Sequence, residues 1–424
     1  MKKEVLWLVS TLGVMSLWAT LNFYATTQGW FIEKIAAQGD TQEFVTNIKT
    51  EVDKGFRGNV AMLMMEQGEV IATHHVSKGE LVNTDSVFGV ASLGKWVAAV
   101  AAMQLAEQGK LDLDAPVSNY LTRWQLPPSE FDNDGVTVRR LLSHTAGITD
   151  GLGHDGFPVG TPVQPLVEHL TLAADREPDK SGKVAVGMQP GTRWQYSGGS
   201  YNLLQLLIEE ISGQGFAQYM RQAIFLPLGM TNTGYSVDRS APQTAQYFGE
   251  NQTLLVYPNY TSLAATGLYS TTSDLAKFVR SQIPTSALNT PGKRILTDQS
   301  LLAMRQPIGQ SGGLEIWGAG VMLYADNNHG SFVLGHGGRS PMLNATARMN
   351  PKTGNAFIMF QTGNKRAFAS NMATKWTNWE AGTPDMFQLR FMLLDMFNLI
   401  AIGCCVILLL SALGFMYSRK RVSK

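Results

Sequence analysis

Two long apolar runs close the ends of this chain, and the polar and apolar positions between them follow shorter periods. The first run extends from Val5 to about Tyr24 and follows Lys2-Lys3. The second extends from Met396 to Tyr417 and is followed by Arg419-Lys420-Arg421 and Lys424. Each is near the length of a membrane span, and neither carries the charged face of a surface helix. Basic residues stay on the cytoplasmic side, so both termini are expected there and the middle of the chain outside. A cleaved signal peptide is the competing reading of the first run. Phe23 and Leu17 fill the −3 positions of the plausible cleavages, after Ala25 and Ala19, which favours an uncleaved anchor. The expected division is an anchor over residues 1–30, an exported domain over 36–381, a span over 396–417 and a basic tail over 418–424.

Within the exported part, Val60–Met65 and Glu69–Ala72 read as strands joined by Glu66-Gln67-Gly68, a hairpin. Ser331–Leu334, Asn344–Met349 and Ala356–Phe360 read as further antiparallel strands. The stretch between is helical. Leu203, Leu204, Leu207, Ile208 and Ile211 form one stripe over Tyr201–Ser212, with Ser200 as N-cap and Gly213 as stop. Strands first and last with helices between predict an α+β fold. Its antiparallel sheet is built from both ends of the domain, flanked by helices and joined to a helical lobe, with one transmembrane helix at each end. A cleft between lobes is the natural site.

Composition narrows the chemistry. The formal net charge of +1 gives no case for nucleic acid or a strongly charged partner. Cys404 and Cys405 both fall inside the second apolar run, so the exported part has no thiol and no disulfide. His74-His75 has no metal-ligand spacing, because neighbours on a strand point to opposite faces. No metal and no cofactor is expected.

The candidate chemistry begins at Ser92-Leu93-Gly94-Lys95, at the mouth of the apolar segment Trp96–Ala106, which stops at Gly109. A helix there has no polar face and is buried. Ser92 would sit at its N-terminus, where the dipole favours developing negative charge. Lys95 would lie one turn on, on the same face, desolvated enough to act as a base. That is an arrangement for an activated serine nucleophile. A capping serine beside a snorkelling lysine is the bland alternative for so short a pattern.

Further motifs follow in order. They are Gly109-Lys110-Leu111-Asp112-Leu113-Asp114, Leu141-Leu142-Ser143-His144-Thr145-Ala146-Gly147, Gln189-Pro190-Gly191 with Tyr196-Ser197-Gly198, Pro227-Leu228-Gly229-Met230, Thr266-Gly267-Leu268 and His336-Gly337-Gly338. Over roughly residues 55–365 this set resembles the β-lactamase-related serine hydrolases of the class C type, a family of β-lactamases, D,D-peptidases, D-aminopeptidases and esterases. The resemblance implies an acyl-enzyme hydrolase acting on a peptide, ester or other small substrate such as one derived from the cell wall; the two apolar runs place it on a bacterial cytoplasmic membrane, with the catalytic domain on the periplasmic or extracellular side. It implies Ser92 as nucleophile, Lys95 as its partner and Tyr196 as general base. His336, Gly337 and Gly338 would stand where relatives carry K-T-G or H-x-G, and the oxyanion would meet the N–H groups of Ser92 and Arg339. Trp317 would pack near that third-motif strand.

Two departures stand out. Gly198 occupies the third place of Y-x-N, which disfavours efficient β-lactam hydrolysis and favours an ester or unusual peptide. Lys352-Thr353-Gly354 spells K-T-G, but Pro351 and Gly354 place it in a hairpin turn, so His336 is retained as the third motif. His144 reads as a structural hydrogen-bonder and Gly151–Gly156 as a loop near the cleft. The competing function is a catalytically weak sensor of cell-wall peptides on the same fold. The sequence leaves the exact substrate and the oligomeric state open.

Overall fold

The computed structural model describes residues 2–422 except Gly151, Gly153, Glu250, Asn251, Pro291, Asn328, His329, Asn364 and Arg366. The N-terminal run forms one helix, α1 (Lys2–Thr27), and α2 (Thr41–Gly55) follows. Asp40 caps α2 by accepting from the Glu43 N–H at 2.9 Å. Phe44, Ile48 and Val52 recur every four residues and are the buried stripe of α2.

An eight-stranded antiparallel sheet follows from the period-2 segments. Its strands are β1 (Val60–Glu66), β2 (Glu69–Val76), β3 (Gly309–Ser311), β4 (Leu314–Trp317), β5 (Met322–Asp326), β6 (Phe332–Ser340), β7 (Leu343–Met349) and β8 (Ala356–Thr362). The order across the sheet is β2-β1-β8-β7-β6-β5-β4-β3, so both ends of the domain meet at β1 and β8. The hairpin between β1 and β2 turns at Gln67 and Gly68, with φ of 50° and 82°.

The apolar run of β1 is continuous because both faces of the sheet are covered. Ala61, Leu63 and Met65 face one core, and Val60, Met62 and Met64 face the other. The first core also holds α3 (Gly94–Glu107) and Phe278 from α6 (Thr272–Gln282). The second holds α2 and Trp376 from α7 (Phe368–Ala381). Between β2 and β3 the chain builds the helical lobe, including α4 (Val138–Leu142) and α5 (Gly198–Ser212).

The α5 stripe is present, but its N-cap is Ser197 rather than the expected Ser200. The Ser197 hydroxyl accepts from the Ser200 N–H at 3.1 Å, which starts the helix three residues earlier. Strands β3, β4 and β5 were not expected from the sequence; they are short, and bulges interrupt their pairing.

The C-terminal run belongs to one long helix, α8 (Met386–Val422). Two helices, Glu4–Thr27 and Met386–Arg419, are long and apolar enough to cross a membrane. They lie side by side: Trp7 Nε1 donates to Ser411 Oγ at 2.8 Å, and Arg419 pairs with Glu4.

Candidate active site

The backbone delivers Ser92 on a strained turn. Phe88-Gly89 pairs with Tyr269-Ser270, and the Val90 N–H donates to the Leu268 carbonyl at 3.0 Å. Ala91–Leu93 then makes a tight single turn directly before α3. Ala91 has φ of +46°, a left-handed conformation that costs an L-residue about 1–2 kcal/mol. The turn leaves Ser92 half-buried on a cleft wall, while Leu93 anchors in the core.

Lys95 is 1% exposed, so its charge must be met internally. Its Nζ donates to Ser92 Oγ at 3.1 Å and to the Ala265 carbonyl at 2.7 Å. The same nitrogen lies 5.0 Å from the ring centroid of Tyr196 and 5.5 Å from that of Tyr201. Burial, and secondarily Tyr196, raise the Tyr201 phenol well above its usual range, and its hydroxyl donates to the Leu142 carbonyl.

Tyr196 is held from both sides. The Gln195 N–H donates to the His144 carbonyl at 2.8 Å, and the Ser197 N–H donates to His144 Nδ1 at 3.1 Å. The rings of His144 and Tyr196 lie 4.4 Å apart. His144 turns off the end of α4 with φ of +58°. Burial first, then Lys95 and His336, hold its imidazole well below the ordinary histidine range, so it stays neutral. The expected structural role of His144 therefore has a specific target, the chain around Tyr196.

Strand β6 closes the opposite wall with His336, Gly337, Gly338 and the exposed Arg339. Gly338 is a glycine for a steric reason. A Cβ there would stand 1.9 Å from the Val90 carbonyl oxygen, so only glycine lets β6 lie against the turn that carries Ser92. His336 is buried, and its Nδ1 donates to the Gly337 carbonyl at 2.7 Å. A carbonyl only accepts, so Nδ1 carries the proton and Nε2 has the lone pair. Burial and the Lys95 charge push the His336 pKa down to about 3. The ring is a neutral acceptor, and Trp317 packs edge-on against it at 5.3 Å.

Gly198 has an equally concrete neighbour. A Cβ there would lie 2.0 Å from His154 Nε2, so the His154 imidazole fills the space a side chain at 198 would need. Nothing in the local sequence pointed to this contact. Of the surrounding loop, Gly151 and Gly153 lie outside the described residues. Asn344 was likewise missed. It lines the cleft, donates to the Gly338 carbonyl at 3.0 Å and accepts from the Ser370 N–H at 2.8 Å, which fixes β6.

Two other sequence candidates, Lys352 and His74, fall outside the site. Lys352 is exposed on the β7–β8 turn, where Gly354 has φ of 74°. His74 pairs with Asp53 of α2 at 2.7 Å. Trp194 and Trp317 both line the cleft; Trp317 is almost wholly buried, donates to the Leu142 carbonyl and packs beside His336 on the third-motif strand, as expected.

The cleft that gathers Ser92, Tyr196 and His336–Arg339 has a volume of about 910 Å³. A family model described as "Beta-lactamase" matches residues 44–376. An N-acetylmuramyl-L-alanine amidase of Bacillus subtilis is 28% identical over 259 residues, 56% of this chain and 57% of that protein. Penicillin-binding protein 4 of Amycolatopsis lactamdurans is 28% identical over 256 residues, covering 57% of this chain and 62% of its own length. The chain spans about half the length of the curated relatives it matches. The octameric penicillin-binding protein homologue from Pyrococcus abyssi superposes with a TM-score of 0.65 at 24% identity, covering 81% of this chain and 78% of that one, which is a likeness of fold.

Proposed function

Because this chain belongs to the β-lactamase family, we propose that it is a membrane-anchored serine hydrolase working outside the cytoplasmic membrane through an acyl-enzyme. The observation that carries this reading is Ser92 Oγ 3.1 Å from Lys95 Nζ, with that nitrogen against the Tyr196 ring in one cleft. Tyr196 takes the Ser92 proton as Oγ bonds to the substrate carbonyl carbon. Lys95 Nζ, 5.0 Å from the Tyr196 ring centroid and 3.1 Å from Ser92 Oγ, places positive charge between the two groups that exchange this proton. The backbone N–H groups of Ser92 and Arg339 receive the oxyanion, and the leaving alcohol or amine collects the proton from Tyr196. A water deprotonated by Tyr196 then splits the ester, and the proton returns to Ser92.

His336 supplies a neutral acceptor where relatives with K-T-G place a cation. Together with Gly198, which offers no side-chain amide, this favours an ester or an unusual peptide over a β-lactam. Anchoring rests on the two apolar helices with basic residues at their outer ends, which keep both termini inside. Labelling with a fluorescent fluorophosphonate tests the reading. Wild type should take up the tag and Ser92→Ala should not. A fold-intact wild type that stays unlabelled would favour the sensor alternative.

A further inference from the structure

The cleft of Ser92 does not end within the hydrolase fold. Its lining continues to Ile32 and Glu33, just beyond α1, and to Phe387, Gln388 and Phe391, in the first two turns of α8. These are the roots of the two apolar helices. No linker separates the root of α8 from the cleft. Asp385 caps α8 by accepting from the Phe387 N–H at 2.8 Å, and its other oxygen is tied by Arg348 and by Thr374 at 3.0 Å. Arg348 and Thr374 themselves line the cleft, and the Arg348 guanidinium lies 3.7 Å from the Tyr324 ring centroid. The direction of α8 is therefore fixed relative to Ser92.

Depth follows from helix geometry. From Met396 to Ser418 no residue is charged, whereas Arg390 and Asp395 precede that stretch. Phe391 lies five residues before Met396, a rise of about 7.5 Å. The headgroup layer on one side of a bilayer is about 5–8 Å thick. A bilayer spanned by that uncharged stretch would place Phe391 at headgroup depth; its ring is exposed, as are the Trp30 and Phe31 rings just beyond α1. Tryptophan rings such as Trp30 favour that layer, and exposed phenylalanine rings such as Phe391 present apolar surface to the headgroup–acyl boundary.

We propose that the cleft takes an amphiphile of the outer leaflet, whose ester or amide carbonyl reaches Ser92 while its apolar chain remains at the bilayer along Phe391 and Phe387. This rests on the acyl-enzyme reading and on the two helices spanning the membrane. It accounts for a water-exposed hydrolase domain being held at both ends beside its own cleft. One anchor would suffice to retain the protein; two helix roots shape the mouth.

The test uses the full chain reconstituted in phosphatidylethanolamine–phosphatidylglycerol vesicles, with p-nitrophenyl butyrate and p-nitrophenyl palmitate as paired probes. The readout is the ratio of kcat/KM for the long ester to that for the short one. Wild type should prefer the long ester at least tenfold. Phe391→Asp should lower the ratio at least tenfold, and Phe391→Leu, which keeps an apolar side chain, should retain it. A ratio near one in wild type, or an unchanged ratio in Phe391→Asp, overturns the proposal. Fluorophosphonate labelling of the same samples separates the two levels: a labelled Ser92 with no chain-length preference overturns only the amphiphile, and an unlabelled Ser92 overturns the acyl-enzyme reading as well.

Discussion

His144 grips Tyr196 by the backbone on either side, with its carbonyl on the Gln195 N–H and its Nδ1 on the Ser197 N–H. In the proposed mechanism Tyr196 is the general base, and a base is useful only within reach of its proton, so this grip would position the phenol rather than join the chemistry. His144→Ala removes the Nδ1 contact and places alanine at φ of +58°. Turnover should fall about 10–100-fold, and Tyr196→Phe about 100-fold or more. The double variant should be hardly worse than Tyr196→Phe alone, because one function has been removed twice. Additive losses, measured as kcat on any hydrolysed ester, would show that His144 acts elsewhere.

His336 and Lys352 compete for the same motif on paper, and the fold separates them. His336 is buried on the cleft wall, and Lys352 is exposed on a turn. His336→Ala should cut kcat/KM at least tenfold, whereas Lys352→Ala should leave it within a factor of two. The reverse ranking would mean that the last strands are out of register.

The Gly198–His154 contact predicts an unusual rescue. Gly198→Ala puts a methyl into the His154 ring and should destabilise the protein by about 1–3 kcal/mol. His154→Ala in the same background should recover most of that loss by vacating the space. Thermal midpoints of the four proteins give the coupling directly. A coupling of zero would mean the ring moves aside freely.

The two depressed histidines set a pH dependence. Well above pH 6.5 both are neutral in the folded and unfolded states and contribute no slope. Below it the unfolded chain binds protons that the folded chain refuses, so stability falls as the pH drops toward about 3, the folded value of His336. Each site contributes up to about 1.4 kcal/mol per pH unit. From pH 6.5 to 5, His336 alone should cost about 1–2 kcal/mol. Urea midpoints of the solubilised full chain at these two pH values should show it, and His336→Gln should flatten the slope by about one proton. An unflattened slope would assign the acid sensitivity to other groups.

Much of the framework could be read from local patterns. Val60–Met65 is apolar without interruption, and the structure has both faces of that strand buried. The almost wholly apolar segment after Lys95 is a buried helix, and Pro351 with Gly354 makes the K-T-G at residues 352–354 a turn. These readings hold because period, capping and turn chemistry act within a few residues. The family resemblance named Ser92, Lys95, Tyr196 and His336 as one set, and the fold brings Ser92, Tyr196 and His336 to one cleft with Lys95 Nζ 3.1 Å from Ser92 Oγ.

What the sequence could not decide depends on contacts between distant segments. Strands β3 to β5 are too short and bulged to declare themselves, and they form only because β6 offers an edge to pair with. Gly198 read as a missing asparagine. Only the fold shows that His154, from a remote loop, occupies its space. Gly338 read as a motif letter until Val90 was found against it. The two apolar ends read as anchors, but their roots became cleft walls only when Arg348 and Asp385 joined the sheet to α8. Side-chain periodicity records which face of an element is buried. It does not record which element buries it, because that choice is made by packing among residues far apart in the chain.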